Sequence, residues 1–144
     1  MEEMLANNVI LLLARILLSA IFIMAGGQKL GDIAGTADYI ASGDLPAPTA
    51  LAWLSGLFEI VAGLSILTGF QTRLAAYGLA AFCVALAFIF HTSAVNIPDF
   101  PAGANAMLTV TNQIMMFKNF AIAGGFLALS IAGPGAWSID AWRK

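Results

Sequence analysis

The amino-acid sequence predicts an all-α integral membrane protein, a bundle of four transmembrane helices. Two observations carry that expectation. The chain has 144 residues, of which 60% are hydrophobic and only 10% charged, against about a quarter charged in ordinary soluble domains. A soluble fold this short has too little interior to hide that much apolar surface, whereas a lipid solvent removes the need to hide it. The second observation is four apolar runs, Val9–Gly27, Ala50–Gly69, Leu74–His91 and Ile114–Ala132. Each is close to the ~20 residues needed to cross a bilayer core. Residues 1–144 therefore read as one transmembrane domain.

The first run follows Met-Glu-Glu-Met. A secretory signal wants a positive region there, so the run is expected to stay as a helix. The segment Gln28–Thr49 carries Asp32, Asp38, Asp44, Pro46 and Pro48. It has room for part of a lid helix at Asp38–Ser42, which Gly43–Pro48 cannot continue. Phe70–Arg73 is a tight turn between the second and third runs. Thr92–Gln113 has turn chemistry at Asn96–Asn105, with Pro98 and Pro101. Gly133-Pro134-Gly135 stops the last run, and Trp137–Lys144 suits a short interfacial helix.

An even number of spans puts both termini on one side of the bilayer. Arg73, Arg143 and Lys144 lie on that side, and Lys29 and Lys118 near the other. The basic excess predicts cytoplasmic termini, with the acidic loops facing outward. Trp53, Trp137 and Trp142 fall near segment ends, where aromatic belts form.

Composition also excludes functions. A net charge of −2 gives no basic footprint for nucleic acid. The single cysteine, Cys83, allows neither an internal disulfide nor a Cys-x-x-Cys couple. The single histidine, His91, rules out bis-histidine haem and a histidine-rich metal site on one chain. Met107, Met115 and Met116 are irregularly spaced and lack the second histidine or cysteine that a copper site would use. No metal is expected, and redox chemistry would need a bound cofactor, a substrate or a partner.

Charge inside a span costs about 2.5–3.5 kcal/mol on insertion scales. That singles out Arg15, Lys29, Glu59, His91 and Lys118, with Gln28 and Asn119 beside them. With Gly27 and Ala50 at one outer level, Arg15 lies roughly 18 Å and Glu59 roughly 13 Å below it, at 1.5 Å per residue. The difference is about one turn, so an Arg15–Glu59 ion pair is expected. It has a structural reading, two charges neutralising each other, and a functional one in which Glu59 also handles a proton or a ligand. Lys29, His91, Lys118 and Asn119 fall near the outer side and are expected to form one polar cluster above that pair. Snorkelling to the headgroups is the plainer reading of both lysines.

Helical spacing sharpens the faces. Arg15, Ser19, Phe22, Gly26 and Lys29 share a stripe on the first helix; Ala52, Gly56, Glu59, Gly63 and Ile66 share one on the second. Small residues on these stripes, and Ala121, Gly124, Gly125 and Ala128 on the fourth, permit close helix contact. Phe58, Phe88, Phe90, Phe117 and Phe120 offer a flat apolar wall, although such residues more often face lipid or fill a core.

Several of these segments form an ordered set. Arg15 precedes Gly26-Gly27-Gln28-Lys29-Leu30 in the first run. Leu57-Phe58-Glu59-Ile60-Val61-Ala62-Gly63-Leu64 is followed by Gly69-Phe70-Gln71-Thr72-Arg73-Leu74-Ala75-Ala76. Then come Phe117-Lys118-Asn119-Phe120-Ala121-Ile122-Ala123-Gly124-Gly125, Gly133-Pro134-Gly135 and Ser138-Ile139-Asp140. From about Val9 to Asp140 the chain resembles DoxX-type membrane proteins. The resemblance implies a four-helix inner-membrane protein with a redox association. Related DoxD/DoxA proteins are linked to thiosulfate oxidation with quinone as acceptor, and other DoxX-like proteins to thiol and oxidative-stress systems through soluble partners.

On that footing the expected function is a quinone-linked oxidoreductase subunit. Glu59 and His91 are its candidate catalytic groups, and Lys29, Lys118 and Asn119 its candidate substrate-binding groups. A redox partner, soluble or membrane-bound, and a homo-oligomer both fit. The missing cofactor motif favours an alternative, a non-enzymatic membrane scaffold or assembly factor for a redox partner. A weaker alternative is a small-molecule transporter.

Overall fold

The computed structural model describes residues 2–143; Met1 and Lys144, the latter counted above among the basic residues of the terminal side, lie outside them. The fold is all-helical: α1 (Glu2–Gly31), α2 (Ile33–Ala41), α3 (Pro48–Thr68), α4 (Thr72–Phe90), α5 (Ala102–Ala132) and α6 (Ile139–Trp142). α1, α3, α4 and α5 are long and apolar enough to cross a membrane.

Local chemistry sets the ends. Asp32 separates α1 from α2 and caps α2, its carboxylate accepting from the Gly35 N–H at 2.9 Å. Pro48 opens α3, where its missing N–H costs nothing. Gly69 closes α3 with a left-handed φ of 70°. The N–H groups of Gly69 and Phe70 then fold back onto the carbonyls of Ile66 and Ser65, satisfying the helix end. α3 has 21 residues and so a length of about 31 Å, which matches a bilayer core of about 30 Å. α5 has 31, and its first three turns run past the end of α4. There Asn105 and Thr109 hold the loop by hydrogen bonds to Ile97 and Val95. The 92–101 connection is therefore held against α5.

Packing is organised in two tight pairs, α1 on α3 and α4 on α5. Both stripes named above turn inward. Arg15, Ser19 and Phe22 are buried on α1, and Ala52, Gly56, Glu59, Gly63 and Ile66 on α3. The helices touch through glycine. A Cβ on Gly26 would lie 2.7 Å from the Gly56 carbonyl oxygen, and one on Gly63 would lie 2.9 Å from Ile23. Phe22 meets Phe126 of α5 at 5.4 Å, within a core that includes Ile66, Leu79 and Cys83. The expected close approach at Gly124 does not occur. Its face is open, and the neighbouring Gly125 is the one that meets α1, at Leu18.

The expected Arg15–Glu59 pair does not form. Gly26 faces Gly56, so Ala50 stands about 9 Å above the level of Gly26 at 1.5 Å per residue. That register brings Arg15 to the end of α3 instead of to Glu59. There its guanidinium donates to the carbonyls of Ile66 (3.1 Å), Leu67 (2.8 Å), Pro134 (2.7 Å) and Trp137 (2.8 Å). A buried cation thus closes the negative end of a helix dipole and ties the tail to the bundle.

The tail repeats this logic with opposite charge. Asp140 accepts from the N–H groups of Gln71 and Thr72, both at 2.9 Å, capping α4 from a distant part of the chain. Asn8 accepts from the Ala136 N–H at 2.8 Å. Arg143 lies over the Phe70 ring at 5.4 Å, and Trp53, Trp137 and Trp142 are exposed near segment ends.

Two expectations follow. Arg15→Leu leaves the α3 and tail carbonyls without their donor and should cost roughly 2–3 kcal/mol. Arg15→Lys should recover only part of this, because an ammonium cannot fork to four acceptors. Thermal unfolding in detergent reads both, and equal stability of all three proteins would contradict the assignment. Slight burial would raise the Asp140 pKa, but the hydrogen bonds from Thr72 and Gln71 outweigh it and hold the group below its ordinary range. Tail docking should therefore be complete above about pH 4, the unfolded value, and be lost as pH falls through the lower folded value. Amide exchange of residues 136–143 across pH tests this. Asp140→Asn should weaken docking at neutral pH as well.

Candidate functional site

Glu59 sits one residue from Phe58, about three turns into α3, with its side chain only 3% exposed. Its partner is Lys29, whose ammonium donates to Oε1 at 3.0 Å and to Oε2 at 2.7 Å. The lysine is three residues above Gly26, so its chain folds down and inward instead of rising to the headgroups. The snorkelling reading of Lys29 is thereby corrected. The ammonium has three donors. Two go to Glu59, and the 27% exposure of the side chain leaves the third available. The Lys29 carbonyl accepts from the Thr36 hydroxyl at 3.4 Å, linking α1 to α2.

Lys29 is also part of the wall of a cavity of about 670 Å³ between α2, α3 and α4. That size lies inside the range of about 300–1,000 Å³ usual for small-ligand pockets. Leu51, Leu54, Phe58, Ala81, Ala85 and Leu86 make most of its surface apolar. Polar groups enter at Lys29, Thr36, Tyr39, Ser55 and His91. The floor is Phe58, which leans on Phe82 with ring centroids 5.3 Å apart and reaches across to Gly78. A Cβ on Gly78 would lie 3.3 Å from that ring. At the other end Tyr39 of α2 stacks on Phe90 of α4, centroids 4.9 Å apart and planes 20° from parallel. Burial raises the Tyr39 phenol above its ordinary range, so it stays an O–H donor.

His91 ends α4 at the Tyr39–Phe90 end. Its Nδ1 lies 2.6 Å from the Asn112 Oδ1, and the Asn112 Nδ2 donates to the carbonyls of Phe90 and Ser93, both at 3.2 Å. With that amide end committed as donor, the oxygen must accept, which assigns the proton to Nδ1 and leaves Nε2 as an acceptor in the neutral ring.

The expected single polar cluster is therefore divided. Lys29, with Glu59 behind it, lies near the cavity floor; His91 lies at the opposite, Tyr39–Phe90 end. Gly78 and His91 are about 20 Å apart along α4 at 1.5 Å per residue. Lys118 and Asn119 are not in the cavity wall, and neither side chain hydrogen-bonds another described residue. On α5 it is Gly125 that meets α1, at Leu18, while Lys118 is exposed. Of the five phenylalanines set apart in the sequence, Phe58 and Phe90 line the cavity. Phe88 leans on Phe120 at 5.6 Å, and Phe117 is 65% exposed. Sequence reasoning missed Tyr39, Gly78 and Phe82. The alternation of glycine and alanine along α4 at Gly78, Ala81 and Ala85 was the signal available for them.

Lys29→Met strands the Glu59 carboxylate and should destabilise the protein. Breaking a fully buried pair costs roughly 3–5 kcal/mol, and the partial exposure of Lys29 places the expected loss at or below the lower end. The double variant Lys29→Met/Glu59→Met should regain most of it. A double variant no more stable than the single, by thermal unfolding, would show that the two groups act separately.

Residues 10–92 match the DoxX family. The chain is 41% identical over 134 residues to the inner membrane protein YqjF of Escherichia coli (strain K12), covering 93% of this chain and 92% of that protein. It is 37% identical over 140 residues to the inner membrane protein YphA of the same organism, covering 94% and 91%. No solved structure matches. A family match over more than half of the chain and relatives aligned end to end lead to one conclusion: this four-helix membrane protein belongs to the DoxX family.

Proposed function

We propose that the protein is an inner-membrane, quinone-linked redox subunit whose ligand occupies the cavity between α2, α3 and α4. The observation that carries this reading is an apolar cavity with Lys29 in its wall and the buried Glu59 carboxylate held behind it by that lysine. Apolar side chains suit a ring and its tail. The spare donor of Lys29 suits a carbonyl or phenolic oxygen. Glu59, held against Lys29, supplies and accepts the protons that quinone reduction consumes and quinol oxidation releases. His91 stands at the Tyr39–Phe90 end, where its free Nε2 offers the ligand a hydrogen-bond acceptor. Electrons come from a partner, since the chain offers no cysteine couple. The basic residues Arg73 and Arg143 favour cytoplasmic termini, which turns α2 and the Tyr39–Phe90 end of the cavity outward.

One observation favours a second reading, a membrane scaffold for a redox partner. α5 presents Phe117, Ala121, Gly124 and Ala128 on an exposed face, and such small residues admit a close helix neighbour. Lys118, polar and without a side-chain partner among the described residues, sits beside it.

Quinone binding in nanodiscs separates the readings. Wild type should bind. Lys29→Met and His91→Ala should each weaken binding about tenfold, the effect of one lost hydrogen bond of roughly 1.4 kcal/mol. Gly78→Phe should block it by filling the floor. Absence of binding by the wild type, or equal binding by all four, would sink the quinone reading in favour of the scaffold.

A further inference from the structure

The cavity has a roof, a floor and an open side. At the roof Tyr39 lies flat on Phe90, and the α2–α3 connection closes over the same ring. A Cβ on Gly43 would lie 2.7 Å from Phe90. Ile40 of α2 is buried beneath. At the floor the Phe58 ring bridges to Gly78. Between them the cavity separates α3 from α4, and wall residues there are exposed. Leu54 is 63% exposed and Ile89 42%, and Ala81 and Ala85 are exposed with them. These positions belong to two helices apolar enough to lie in a bilayer. From Gly78 to Ile89 the opening is about 16 Å tall at 1.5 Å per residue, which is the hydrocarbon depth of one leaflet, about half of 30 Å.

From this arrangement we infer that the site loads sideways from the bilayer. The gap between α3 and α4 is a lateral entrance for lipid-soluble amphiphiles, and α2 with Phe90 is a roof that shuts water-soluble ligands out. The head passes inward toward the spare Lys29 donor, and the tail remains among the lipid chains of the leaflet on the α2 side. The physical reason is solvation. A tail in that gap exchanges lipid neighbours for Leu54, Phe58 and Ala85 at little cost. A hydrated polar ligand entering there would lose its water against apolar walls. The inference rests on the cavity being a ligand site, but its test needs no quinone.

The test is spin-label accessibility in nanodiscs, in a Cys83→Ala background. Labels are placed one at a time at Ala85→Cys and, on the opposite wall, Leu54→Cys. Asp38→Cys on α2 provides the aqueous reference and Ile131→Cys, 79% exposed on α5, the lipid reference. Molecular oxygen, which partitions into lipid, should relax both cavity labels as it does the Ile131 label. A water-soluble nickel chelate should not reach them. Removing the roof with Tyr39→Ala/Phe90→Ala should admit the chelate to the Ala85 label. Chelate access in the roofed protein at the Asp38 level would overturn the lateral entrance. Unchanged chelate exclusion in the roofless variant would overturn the roof. A label reached by oxygen alone in a protein that binds no quinone would remove the quinone reading and leave this one intact.

Discussion

The register between α1 and α3 is the constraint on which the other features depend. In lipid, helices gain little by hiding apolar side chains from their surroundings, so close backbone approach decides how they pair. Gly26 against Gly56 and Gly63 against Ile23 set that approach. Sliding α1 by one turn would drive side chains into backbone at both contacts. Once the register is set, two charges have their partners chosen for them. Arg15 arrives at the frayed carbonyls of Ile66 and Leu67. Lys29 arrives nearly two turns above Glu59, about 9 Å at 1.5 Å per residue, and folds down onto it. A cation that meets only carbonyls and a cation that meets a carboxylate are thus consequences of one helix contact.

The same contact explains where the bundle is loose. α1 with α3 and α4 with α5 are close pairs, and the remaining space falls between α3 and α4. Phe58 spans that space at one level, because Gly78 offers it room. Above Phe58 the alanines of α4 are too short to fill the gap, and a cavity results. α2 closes it because Asp32 starts a helix that lies across the bundle end, burying Ala37 and Ile40 against α3. Hence the acid–base pair, the apolar wall and the roof belong to three different stretches of chain and meet only through packing. The tail serves the opposite end, where Arg15 and Asp140 close the ends of α3 and α4.

Much of this was legible residue by residue. The inward stripes of α1 and α3 follow from helical spacing and from charges that cannot face lipid, and both stripes are buried in the structure. The turn at Gly69 and the stop at Gly133 follow from their neighbours. The ion pair differs for a definite reason. Loop ends at a common level put Arg15 beside Glu59, whereas Ala50 stands well above Gly27 once the glycines mesh. The polar groups near the outer side were read as one cluster because they share a depth in sequence. In space His91 turns to Asn112, and Lys118 is exposed and outside the cavity wall.

By itself the sequence determined that the chain lives in lipid, that it forms four long helices, and which faces carry charge. Those properties are local sums: hydropathy over about twenty residues, spacing of 3.6 per turn, and the insertion cost of each charged group. Tertiary structure alone decided that Glu59 belongs to Lys29, that Arg15 holds the tail, and that a cavity opens between α3 and α4. These depend on how far one helix slides along another. That distance is set by contacts between glycines some thirty residues apart, which composition and periodicity do not encode.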